Sequence, residues 1–186
     1  MATIRSPTSE EWEAADQAYC LAVGQVGVLW ATIHEDLAQL YVHRLAADAG
    51  QAQIAWYSHR SDRSQRDLLK NTIEQTEVKN TGSFPRAKDD LLWSLNRIEE
   101  LSKVRNDAVH VAVQIIWGEA GPTFSPNAWS SDPRLKKLHG KDLMKRLTAC
   151  RRDLQKLLYF NRSMNSAFFD RDLKPDWPSR PKLTTV

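Results

Sequence analysis

From Ser9 onward, apolar side chains recur at Trp12, Ala15, Tyr19, Val23, Val26, Trp30, Ile33, Leu37 and Leu40. The steps alternate between three and four residues, so these side chains line one stripe of an α-helix. Ser9 supplies an N-cap, and Glu10, Glu11 and Glu13 put negative charge where the helix dipole favours it. The pattern predicts a long helix reaching about Ala47 and stopping near Gly50. Gly24 and Gly27 each cost about 1 kcal/mol relative to Ala inside a helix, which predicts close approach of another helix or chain.

A second helix is predicted over 62–79, through Leu68, Leu69, Ile73 and Val78; Arg63, Arg66 and Lys70 fall three and four apart on it and form one positive face. Asn80 to Pro85 breaks the pattern. A third helix follows, with Leu91, Leu92, Leu95, Ile98, Leu101 and Val104 as its apolar face. Beyond Val111 the period is open to two readings. Val113, Ile115 and Trp117 alternate as in a hairpin strand returning through Thr123 to Ser125, yet a helix continuing to Trp117 fits equally. The stretch to Pro133 is an insertion, either a lid or a surface excursion. A last long helix from about Lys141 carries Leu143, Leu147, Cys150, Leu154, Leu157, Asn161, Met164 and Phe168, with Lys145, Arg152 and Lys156 opposite. These elements describe an all-α fold: one bundle of about four main helices over 9–170, the first and last long, and a Pro-rich tail over 171–186 that can strap a neighbour.

The length suits a single domain, and the 41% hydrophobic content excludes a disordered chain. Residues 1–50 hold seven acids against two bases, while the remainder holds sixteen acids against twenty-four bases. That asymmetry admits an anionic partner such as RNA. Cys20 and Cys150 have no second Cys or nearby His at metal-ligand spacing and read as buried thiols of a reducing cytoplasm. His34 is followed four residues later by Ala38, so no paired-His metal motif exists. Neither a metal nor another cofactor is expected. The longest apolar run, Leu21 to Ile33, is shorter than the roughly 20 residues of a membrane span, which predicts a cytoplasmic protein without membrane association.

The residues that look like chemistry are Arg105-Asn106-Asp107-Ala108-Val109-His110, at the end of the third helix. Asn106 and His110, four apart, share a helix face; Arg105 and His110, five apart, diverge. Either Arg105 reaches across with its long side chain, or the helix breaks at Asn106, a good N-cap. Asp107 is placed to fix a neighbouring side chain.

An Arg followed by Asn, a short spacer and a His at a helix end resembles the signature of the HEPN (higher eukaryote and prokaryote nucleotide-binding) superfamily. The signature allows four to six residues between Arg and His, and here there are four. The resemblance implies a HEPN-like helical domain over 9–170 and a homodimer whose motifs face each other. It also implies a metal-independent endoribonuclease of toxin or phage-defence type that leaves a 2′,3′-cyclic phosphate, with Arg105, Asn106 and His110 catalytic. RNA would then be met by Arg63, Arg66, Lys70, Lys103, Lys145 and Arg152. HEPN toxins controlled by a nucleotidyltransferase antitoxin often carry a Tyr two residues after the His, where this chain has Ala112. That form of control is therefore not expected, although another antitoxin or regulatory partner is compatible with the motif. The alternative within the same resemblance is a non-catalytic nucleotide-binding or dimerisation module.

Overall fold

The computed structural model describes residues 6–45, 48–75, 84–127, 136–138, 140–169 and 176–184. It is mostly helical, with one small sheet. Helix α1 spans Ser9–Leu40, and its cap is Thr8 instead of Ser9. The Thr8 hydroxyl accepts the Glu11 N–H at 3.2 Å while the Glu11 carboxylate accepts the Thr8 N–H at 2.9 Å, so two helix-end donors are satisfied reciprocally. Val26, Trp30, Ile33, Leu37 and Leu40 are buried as the stripe requires, whereas Trp12, in the first turn ahead of the packed region, stays 48% exposed.

A π-helical turn, Tyr41–Leu45, ends α1, and a separate helix α2 follows over Ala49–Ser58. The expected stop at Gly50 is thus a start. Asp48 accepts the Gln51 N–H at 2.9 Å and nucleates the new helix, where glycine sits in the first turn and interrupts no ladder. Helix α3 covers Asp62–Gln75; the expected remainder to 79 lies outside the described residues. Helix α4 covers Ala87–His110, strands β1 (Val113–Gly118) and β2 (Gly121–Pro126) form an antiparallel hairpin, and helix α5 covers Leu143–Phe169. Of the two readings of 111–126, the hairpin is the observed one.

Pairs of contacts give the helix directions. Arg151 bonds Gln25 and Arg162 bonds Asp36, a common advance along both chains, so α1 and α5 run parallel. Asp107 meets Arg146, Leu101 meets Cys150 and Ser94 meets Asn161, so α4 runs antiparallel to α5. Ile33, Trp56, Leu69, Ile98, Leu101, Leu154 and Leu157 fill the space between these helices. Burying each such side chain contributes about 1.5–3 kcal/mol. Asn161, the polar position in the last stripe, accepts the Ser94 hydroxyl at 2.6 Å.

The hairpin docks through a second, smaller core, with Trp117 and Phe124 packed on Ala15 of α1 and Leu143 of α5. The described part of the tail lies on the bundle. Trp177 packs against Phe84 and Phe168, and Asp90 and Asp153, both fully buried, receive tail donors. Among the described residues, nothing lies within 4 Å of where a side chain would start at Gly24 or Gly27, so no described helix approaches them closely. Cys150 is buried, but Cys20 is exposed, contrary to the expectation for both thiols, because its position in α1 faces away from the stripe.

Candidate functional site

Helix α4 continues unbroken to His110, and the Val111 N–H donates to the Asp107 carbonyl at 3.1 Å. The break at Asn106 is thus not observed; Arg105 Nη1 donates to the side-chain oxygen of its neighbour Asn106 at 2.9 Å, and among the described contacts none joins Arg105 to His110. The guanidinium carbon lies 5.7 Å from the centroid of the Trp30 ring, within cation–π range. Arg105 Nε is buried and has no hydrogen-bond partner among the described residues. Asn106 and His110 are exposed. His110 occupies the last turn of α4.

Two contacts fix this end of α4 in the bundle. Asp107 accepts from Arg146 Nη1 at 3.3 Å, which gives Asp107 the anchoring task its position suggested. The Ala108 carbonyl accepts the Tyr19 hydroxyl at 3.3 Å, and Tyr19 stacks on Phe124 of the hairpin with ring centroids 5.3 Å apart. Burial, then the nearby Cys20 thiol, pushes the Tyr19 phenol up to about 12. It therefore remains a neutral donor through the physiological range.

Beneath Arg105 lies a polar cluster that the sequence pattern does not reveal. Trp30 donates its indole N–H to Asp62 at 2.6 Å. A second guanidinium, that of Arg66, lies 5.3 Å from the same ring and contacts His34 Nε2 at 3.1 Å. A guanidinium can only donate, so His34 Nε2 accepts and the imidazole proton resides on Nδ1. That Nδ1 is buried without a hydrogen-bond partner among the described residues. Burial is the largest influence on His34, and it holds the imidazole down to about 4; Asp62 and the Gln65 side chain oppose the shift, while Arg66 and Arg105 reinforce it. Trp30 and His34 are four apart, as are Asp62 and Arg66, so α1 and α3 run in the same direction where they meet.

The predicted RNA-facing bases are distributed unequally. Lys103 and Lys145 are exposed beside the motif, Lys145 one residue before the Arg146 that holds Asp107. Arg152 is exposed further along α5. Arg63 is exposed and within 3.9 Å of Asp67; Lys70 is half-buried. Arg66, however, is buried under Trp30, so the three bases of α3 do not form one solvent-facing row. Lys156 donates to the Lys182 carbonyl at 2.6 Å and is committed to the tail.

Among the described residues, no three His, Cys, Asp or Glu side chains gather as a metal site would require, and no helix is long and apolar enough to cross a membrane. No family model, curated protein or solved structure matches this chain. Trp30, His34 and Asp62 are the residues missed by sequence reasoning. Periodicity places Trp30 in the core, where it is, and excludes His34 from a metal pair; the matching four-residue steps, Trp30 to His34 and Asp62 to Arg66, are the faint signal that relates the two helices.

Proposed function

We propose that this protein is a HEPN-like RNA-binding protein that acts as a metal-independent endoribonuclease, in the cytoplasm and as a homodimer of toxin or defence type. The observation that carries the reading is the arrangement of Arg105, Asn106 and His110 on the last two turns of one uninterrupted helix. There Asn106 holds the Arg105 guanidinium and His110 stands in solvent. A site on a packed rod is better preorganised than one on a free loop.

The chemistry follows from the residue types. One imidazole takes the proton of a ribose 2′-hydroxyl, and the resulting oxyanion attacks the adjacent phosphorus. The P–O5′ bond breaks, and a second imidazole protonates the departing 5′-oxygen, leaving a 2′,3′-cyclic phosphate and a 5′-hydroxyl. Each chain contributes one His110, so two copies supply the base and the acid. Arg105 neutralises the phosphorane, Asn106 orients the guanidinium, and Lys103 and Lys145 guide the backbone of the RNA. The exposed face of α1 bearing Leu21 and Val28, 63% and 68% exposed, is compatible with a second copy.

The direct test is incubation of the purified protein with mixed RNA in EDTA, with Arg105→Ala and His110→Ala in parallel and the cyclic-phosphate ends assayed. The reading expects cleavage by the parent and its loss in both variants. One observation favours a second reading, a non-catalytic nucleotide-binding or dimerisation module: the Arg105 guanidinium is drawn onto Trp30 with its Nε buried. RNA or nucleotide binding without cleavage, in a protein indifferent to His110→Ala, selects that module.

A further inference from the structure

Trp30, Asp62, Arg66 and His34 take no part in the chemistry assigned to Arg105 and His110, yet they lie directly beneath the guanidinium. An arginine side chain is long and samples many rotamers, so an arginine that binds phosphate productively must be restrained before the phosphate arrives. Asn106 restrains one end, through Nη1. The Nε end has no hydrogen-bond acceptor among the described residues, so the contact with the Trp30 ring is what restrains it there.

The indole is itself held on two sides. Trp30 is buried in the core, and its N–H is pinned by Asp62 at 2.6 Å. Arg66 already occupies a place against the same ring, held there by His34 Nε2, and this second positive charge keeps Arg105 from sinking further inward. Asp62 offsets part of the repulsion between the two cations and leaves the outer N–H groups of Arg105 as the donors still seeking an acceptor.

We propose that Trp30 is the positioning residue for Arg105, its ring pinned by Asp62 and backed by Arg66 so that the outward guanidinium N–H groups face a phosphate. The phosphate half of this assignment rests on the RNA-binding reading above. The stacking half does not.

A double-mutant cycle tests it, because a residue that acts through Arg105 loses its effect once Arg105 is gone, whereas a merely structural one does not. Binding of a fluorescein-labelled, mixed-sequence single-stranded RNA is measured in EDTA by anisotropy, in a His110→Ala background to prevent cleavage. Trp30→Leu should weaken binding roughly 2- to 30-fold when Arg105 is present, and by less than about 2-fold when Arg105 is Ala. Trp30→Phe, which keeps an aromatic face, should retain most of the affinity. Equal losses in both backgrounds, or no loss in either, overturn the assignment. Should Trp30→Leu fail to fold, Asp62→Ala releases the indole from the edge of the core and enters the same cycle.

The Arg105 Nε–H resonance in ¹⁵N NMR provides an RNA-independent arm. A sharp signal in the parent that is lost with Trp30→Leu or Asp62→Ala supports the stacking; an unchanged signal overturns it. Absence of RNA binding by the parent overturns the phosphate half, and the resonance still decides the other.

Discussion

Trp177 donates its indole N–H to the Asp90 carboxylate at 2.7 Å, joining the tail to the first turn of α4 across the bundle. Asp90 is fully buried, and Arg180 and Arg86 complete its shell. Removal of residues 176–186 strips two of these partners, opens the carboxylate toward solvent and leaves it, among the described residues, with the largely exposed Arg86. Breaking a buried pair on one side costs about 3–5 kcal/mol. The truncated chain should show a correspondingly lower urea midpoint. Trp177→Ala, which also forfeits the packing on Phe84 and Phe168, should lose about 3 kcal/mol.

Stability should fall in mild acid because of His34. Its folded value of about 4 lies below the ordinary 6.5, so between those values the unfolded chain binds a proton that the folded chain refuses. Unfolding free energy therefore rises with pH across that window, is complete above about pH 6.5, and is lost as pH drops through 4. The size is about 3 kcal/mol. Urea titrations at pH 7 and pH 5 should show the decline in the parent and a smaller one in His34→Gln, whose amide can still accept from Arg66.

The two thiols should differ sharply. Cys150 is fully buried, donates to the Leu101 carbonyl at 4.0 Å, and is pushed up to about 12 by burial, then by Asp153. Cys20 is exposed. In the native protein a thiol-reactive chromophore should titrate one cysteine quickly, and Cys20→Ser should abolish that phase; two equivalent phases would contradict the packing of α5 on α4.

His110→Ala should separate chemistry from folding. The side chain is exposed, so the midpoint of unfolding should move by no more than about 0.5 kcal/mol. If His110 transfers a proton, cleavage of RNA should fall roughly 10²- to 10⁴-fold. Arg105→Ala should lose cleavage too, but with a measurable stability loss of about 0.5–1 kcal/mol from the contact with Trp30.

Periodicity reveals which face of a helix is buried and little about what meets it there. Val26, Trp30, Ile33, Leu37 and Leu40 stand where a repeat of three and four puts them, and the same repeat carries α5 from Leu143 to Met164. Gly50 alone reads as a stop, but Asp48 caps a new helix at that point, so the glycine falls in a first turn. The placement of the motif at the end of α4 is legible because its spacing is local. Its foundation is not, since Trp30 and Asp62, like His34 and Arg66, are brought together from positions 32 residues apart. For the same reason the spacing of α3 places Arg66 with the RNA-facing bases Arg63 and Lys70, whereas burial against α1 sets it under Trp30.

The tail also sets an order in time. Chains are made from the N-terminus at about 5–20 residues per second, so Asp90 is synthesised roughly 4 to 17 s before Trp177, which follows it by 87 positions. During that interval the carboxylate has Arg86 as a neighbour but neither of its tail donors. Final closure of the bundle around Asp90 and Asp153 must wait until Trp177 to Thr184 have been made and have left the ribosome. Nascent chains stalled before that point would hold their helices in a looser, more protease-sensitive assembly than the finished protein.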